Sequence, residues 1–231
     1  MFAFDRRDPE VERAASFLLR HQSKEGDIRG IIGAQRATHY TAGMLELLAK
    51  ARFVGDRRVE KGHAWLLSVR QDDGERAFPL RAAGLSLEAG RRKEALERVC
   101  SKPFSHLLTG VVLRLFATHP RRRHSQAARK AGELLISRFF RLDGNPDRRD
   151  RSYWEKVSFP FWFTDIVSSL DCLFLLGFEA RTPEVQRALQ WLRARQGRDG
   201  RFRLQLLKAS DPELPLWVSF AICRIFRRFH G

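Results

Sequence analysis

Trp191-Leu192-Arg193-Ala194-Arg195-Gln196-Gly197-Arg198-Asp199-Gly200-Arg201-Phe202 is the clearest version of a phrase that this chain repeats. Phe17-Leu18-Leu19-Arg20-His21-Gln22, followed by Glu25-Gly26, is a second version. Trp65-Leu66-Leu67-Ser68-Val69-Arg70-Gln71, followed by Asp73-Gly74, is a third. In each, the aromatic stands nine residues before the glycine (17 to 26, 65 to 74, 191 to 200). A fainter version runs Phe139-Phe140-Arg141-Leu142-Asp143-Gly144. Self-similarity on this scale is the signature of stacked supersecondary units.

Working outward from the phrase, each unit has the same parts. An amphipathic helix ends in a Gln or an aromatic. An acidic residue and a Gly then stop it, because Gly tolerates the left-handed conformation that closes a helix. A second, more apolar helix starts after Thr, Ser or Pro. The spacing predicts helices near Pro9 to Ser23 and His39 to Arg52, then Asp56 to Gln71 and Pro103 to Ala117. It predicts Ser125 to Arg141 with Pro160 to Leu176, and Pro183 to Arg195 with Pro215 to Phe229. A short extra helix is expected near Leu85 to Val99. No stretch reads as a strand. The first helix of each unit mixes charged and apolar residues, as surface helices do, whereas the second is apolar nearly all round and should be buried on most sides. The expectation is an all-α protein, one domain over residues 1–231, with charged outer helices and apolar inner helices that surround a central space.

Composition narrows the class. The 231 residues are 43% hydrophobic and 30% charged, enough for a sizeable core. No run of about 18 uncharged apolar residues is present, so no transmembrane helix is expected. The start has no apolar h-region, so a signal peptide is not expected and the default location is cytoplasmic. Cys100, Cys172 and Cys223 are odd in number and lack metal-ligand spacing, so neither a disulfide frame nor a metal centre is predicted. The net charge of +16 and the excess of Arg over Lys favour anionic partners. These include a diphosphate or an anionic headgroup, with attachment at a membrane periphery. Basic runs at Arg91-Arg92-Lys93, Arg121-Arg122-Arg123-His124, Arg148-Arg149 and Arg227-Arg228 fall at helix ends or loops. They lack the aromatic interleaving of a single-strand binder, and no nucleic-acid-binding motif is present.

The Gln–acid–Gly–aromatic phrase resembles the QW-type repeats of squalene cyclases, in the superfamily of terpenoid cyclases and protein prenyltransferases. The resemblance spans nearly the whole chain and implies an α/α toroid or an open arc of about four helical hairpins. It also implies an isoprenoid or other lipid-like substrate in a cavity between inner helices. The Asp-x-Asp-Asp acid motif of the cyclases is absent. The Asp-x-Cys zinc motif of the prenyltransferases is replaced by adjacent Asp171-Cys172, which point about 100° apart on a helix and chelate poorly together. An arc of four hairpins leaves apolar surface open, which implies a homo-oligomer or a partner subunit.

Several residues are candidates for chemistry. Superposing Trp65 on Trp191 places Thr38-His39 on Thr164-Asp165, each pair at the opening of an inner helix. His106 stands near the start of another. His39, His106 and Asp165 are therefore candidates for an acid/base cluster, against the alternative that they cap helices and satisfy backbone groups. Tyr40, Trp154, Phe161, Trp162 and Trp217 are candidate cavity aromatics, able to stabilise a carbocation or to fill the core. Asp171 is a charge in an apolar helix, costly unless paired, and is a further candidate contact. Two functional readings stand: an isoprenoid- or lipid-handling toroid, or a non-catalytic helical-repeat module for an acidic protein or anionic surface. No cofactor is predicted.

Overall fold

The computed structural model describes residues 4–28, 37–69, 106–142, 150–158, 164–207 and 211–231, with backbone only for 106–108. Eight α-helices lie among the described residues: α1 (Pro9–Arg20), α2 (Thr38–Lys50), α3 (Arg57–Ser68), α4 (His106–Thr118), α5 (Gln126–Ser137), α6 (Ile166–Leu175), α7 (Pro183–Arg193) and α8 (Leu214–His230). All lie within or close to the stretches expected from spacing. The expected helix near Leu85 to Val99 falls outside the described residues, as does most of the fainter repeat's end.

Local signals explain the starts. Asp56 accepts from the Arg58 amide at 2.8 Å and Ser125 from the Ala128 amide at 3.2 Å, each satisfying a donor that the first turn leaves open. Asp165 and Ser168 form a reciprocal capping box at the start of α6. Proline stands in the first turn of α1, α7 and α8, where its missing N–H costs no helix bond.

The helices pack as one series with a flanking helix beside three of its members. α2 packs against α4, α4 against α6, and α6 against α8. Each of α2, α4 and α6 also packs against the helix that follows it, α3, α5 and α7 respectively. The closest hairpins are thus an inner helix followed by an outer one, one step out of phase with the outer-then-inner pairing expected from the repeat. The connections explain the shift. Residues 51–56, 119–125 and 176–182 are short links that turn the chain straight back, whereas the segments following the Gly turns are longer. α4 is the most enclosed: Val111, Val112, Leu113, Leu115, Phe116 and Ala117 are all buried. α8, at the end of the row, is not buried on most sides as expected: Leu216, Trp217 and Phe220 are exposed.

One strand pair was not expected. β1 (Lys156–Val157) and β2 (Gln205–Leu206) run parallel, the Leu207 amide donating to the Val157 carbonyl at 2.9 Å. Two residues per strand are too few to write an alternating pattern into the sequence. The ladder joins the segment that leads to α6 with the one that leads to α8.

The repeated phrase has a repeated structure. After α1, Gln22 pairs with Ile28 across an antiparallel bridge, and the Gln22 side-chain amide donates to the Gly26 carbonyl at 2.8 Å. After α7, Gln196 pairs with Phe202 and donates to the Gly200 carbonyl at 3.1 Å. Gly26 and Gly200 both have positive φ, at 119° and 79°. The bridge is then held by a hydroxyl from the next inner helix. The Ile28 amide donates to Thr41 Oγ1 and the Phe202 amide to Ser219 Oγ, both at 3.0 Å. The Gln locks the turn and the turn fastens the outer helix to the following inner one.

Candidate functional site

The inner helices share a charged row toward their C-terminal halves. On α2, Glu46 accepts from Lys50 Nζ at 2.5 Å. The second Glu46 oxygen accepts from Arg114 Nε of α4 at 3.3 Å. On α6, Asp171 Oδ1 accepts from Arg224 of α8 at 3.1 Å and from Arg228. Arg114, Glu46, Asp171 and Lys50 all act electrostatically on the Cys172 thiol of α6. Among the described residues of the row, the cations Lys50, Arg114, Arg224 and Arg228 outnumber the carboxylates Glu46 and Asp171. The Glu46 and Arg114 side chains are only 10% and 13% exposed. Asp171, Arg224 and Arg228 are more open, and Arg228 also lies over the Phe174 ring. Charges held this far from water keep a field that a surface pair would lose to screening.

Apolar groups continue the same stripes toward the N-terminal ends. On α8, Trp217, Phe220, Arg224 and Arg228 are spaced three, four and four residues apart, so they share one helix face. On α2, Tyr40, Leu47 and Lys50 follow one face in the same order. Leu47, Trp217 and Phe220 are all exposed. A face that is apolar at one end and cationic at the other is the complement of an amphiphilic anion.

The residues singled out from sequence are placed as follows. Asp165 caps α6: Oδ1 accepts from the Ser168 amide at 2.8 Å and Oδ2 from the Ser158 amide at 3.2 Å. Burial pushes its carboxyl up to about 6, against the pull of those amides. By capping role Asp165 corresponds to Ala37, the residue that opens α2, and not to His39. His39 lies two residues further in, half-buried, its ring 4.3 Å from that of Tyr40. His106 begins α4, and its side chain lies outside the described residues, as do Phe161 and Trp162. Trp154 does not line an open space: it is fully buried, donates from Nε1 to the Arg141 carbonyl at 3.0 Å, and meets Phe139 edge-on. Trp217 is exposed on α8, and Asp171 carries its two arginine partners. Cys172 is buried and its thiol is pushed up by burial, so it stays protonated. No group of three metal-ligating side chains is found among the described residues.

A cluster between α3 and the end of α4 escaped the sequence reading. His63 is fully buried, stacked on Phe116 and edge-on to His119, with neither ring nitrogen hydrogen-bonded. Burial, with the nearby Arg122 and His119 charges, holds it down at about 3, so it is neutral. His119 meets Glu60 at 2.8 Å, and Arg122 donates to the other Glu60 oxygen at 2.6 Å. Burial raises Glu60, but the Arg122 and His119 hydrogen bonds outweigh it and hold the carboxyl at about 2. His63 sits in an ordinary amphipathic pattern on the core face of α3, and only its polarity at that position marked it.

Compared with known proteins, the chain matches no protein-family profile and no curated protein.

Proposed function

We propose that this protein binds an isoprenoid or other lipid-like anion along the face shared by its inner helices, in a two-layer α/α arc of the toroid type. The carrying observation is the stripe on α8, in which exposed Trp217 and Phe220 lead directly to Arg224 and Arg228. The apolar body of the ligand lies along Trp217, Phe220, Leu47 and Tyr40. Its anionic head meets the positive excess of Lys50, Arg114, Arg224 and Arg228. Asp171 and Glu46 fix those cations in place instead of cancelling them. Guanidinium groups suit this role because their planar fork matches phosphate oxygens in pairs. The alternation of inner and outer helices and the repeated Gln turns support the toroid-type reading. Asp165 holds the start of α6 in this account, and the assignment is to binding, not to a reaction.

The test is calorimetric titration with farnesyl diphosphate, set beside inorganic diphosphate and farnesol. The expected result is saturable binding of farnesyl diphosphate at least ten times tighter than either part alone. Arg224→Gln with Arg228→Gln should weaken it at least tenfold. Equal binding of inorganic diphosphate would assign the charge to simple anion attraction. Failure of all three, together with pull-down of acidic polypeptides, would favour the alternative of a non-catalytic module for an acidic protein.

A further inference from the structure

A second cleft lies away from the inner face, between the end of α5, the 3₁₀ turn Arg151–Trp154 and the outer helix α7. It has a volume of 440 Å³ and is lined by Phe139, Phe140, Arg141, Arg151, Glu155, Arg187 and Trp191. Small-molecule sites run from roughly 300 to 1,000 Å³.

Its lining divides by chemistry. Phe140 and Trp191 form an aromatic wall, their rings 5.5 Å apart and tilted by 43°. Arg195 lies 3.6 Å above the Trp191 ring centre and donates to the Trp191 carbonyl at 3.2 Å, which fixes the indole. Arg195 also stands 3.8 Å from Glu155, so the one acid of the cleft already has a counter-charge. Arg141, Arg151 and Arg187 are exposed, and none forms a salt bridge with a described carboxylate. Phe140 adds a structural mark. Its φ of 59° puts an aromatic residue in the left-handed region, a strained conformation that places its ring beside Trp191.

We infer that this cleft binds a phosphate ester of a flat aromatic group, of mononucleotide size. The flat group lies against Trp191 and Phe140, and the phosphate reaches Arg141, Arg151 and Arg187. Among the described residues, the guanidiniums of Arg141, Arg151, Arg187 and Arg195 outnumber the carboxylates of Glu155 and of Asp150, which acts on Arg151 from beside the cleft, and the remaining positive charge suits a phosphate dianion better than a single carboxylate. The site is built from α5, α7 and the 3₁₀ turn and shares no residue with the inner face, so it stands or falls separately from the lipid reading.

The probe is adenosine 5′-monophosphate, titrated calorimetrically into the full chain at low salt. Adenosine, ribose 5-phosphate and a 5′-phosphorylated oligoadenylate are the comparison arms. Saturable binding of the monophosphate is expected, with adenosine and ribose 5-phosphate each at least tenfold weaker. Arg151→Gln with Arg187→Gln should weaken the monophosphate at least tenfold at an unchanged melting temperature, since both side chains are exposed. Arg224→Gln with Arg228→Gln on the inner face should leave it unaltered. An oligoadenylate that binds more tightly than the monophosphate identifies a strand end as the source of the same chemistry, and equal or weaker binding identifies the free nucleotide. Ribose 5-phosphate binding as well as the monophosphate, or an Arg151/Arg187 variant with full affinity, would overturn the assignment.

Discussion

Two buried titratable groups give this protein opposing responses to acid. Asp165 has its carboxyl raised to about 6 by burial. Between its ordinary value of 3.8 and about 6, the folded state binds more protons at this site than the unfolded state, so its contribution improves as pH falls through that window. His63 has its imidazole lowered to about 3, chiefly by burial. Between about 3 and 6.5 the unfolded state binds more protons there, so stability is lost as pH falls. Asp165→Asn keeps a capping oxygen but removes the titration. Urea midpoints from pH 7 to pH 4 should show the native protein gaining about 2 kcal/mol relative to this variant as the pH drops. His63→Leu removes two buried nitrogens with no partner. It should stabilise by about 1–3 kcal/mol at pH 7.5, and by more at pH 4.5. An Asp165→Asn profile parallel to the native one would show that this carboxyl is ionised throughout, and a His63→Leu variant less stable than native would show that the ring nitrogens have a role in the fold.

The repeated turn allows a comparison within one molecule, because the same phrase is packed differently at its two described sites. Gln22 donates to Gly26 and also to the Arg58 carbonyl of α3, at 2.8 Å each, whereas the donation of Gln196 stays within its own turn. Gln22→Ala should therefore cost about 1–2 kcal/mol and Gln196→Ala about half that. The glycines sharpen the contrast. A Cβ on Gly26 would lie 2.5 Å from the Lys61 carbonyl oxygen, in backbone that cannot easily yield, while one on Gly200 would meet open space. Gly200→Ala carries only the strain of positive φ, about 1 kcal/mol, and Gly26→Ala should lose about 3 kcal/mol or more in a denaturant melt. Equal losses would mean that α1 is not clamped to α3. The phrase was legible from sequence because Gln, Gly and an aromatic recur at fixed distances. What it touches was not legible, since Arg58 and Lys61 carry no mark of facing a turn 36 residues away. The phase of the hairpins was misread for a related reason: the repeat marks where an outer helix ends, while the tight packing follows the short links at 51–56, 119–125 and 176–182.

At the scale of the whole molecule, the all-α class and nearly every described helix follow from periodicity and caps. The row of charges does not, because its members lie on four helices far apart in sequence and meet only when those helices align. Asp171 was visible as an oddity in an apolar helix, yet nothing near it in sequence names Arg224 and Arg228 as its partners. That link has a mechanical consequence. In an array where each element rests on its neighbours, a helix with few packed neighbours is the less supported. α8 docks on α6 and exposes Leu216, Trp217 and Phe220, so Asp171 is a principal polar tie at the end of the row. Asp171→Ala leaves two guanidiniums without their shared acceptor. The groups are partly solvated, so the global cost should stay near 1 kcal/mol. Locally the effect should be larger: amide exchange over 218–230 should quicken severalfold while exchange over the α4 core, 111–117, stays at its native rate. Uniform acceleration across both segments would mean that α8 unfolds only with the whole chain and that the row is one cooperative unit. Exchange confined to α8 would mean that the cationic end of the proposed ligand face rests on the molecule's most labile helix. A bound anion replacing Asp171 as the acceptor for Arg224 and Arg228 should then slow α8 exchange again in the Asp171→Ala variant.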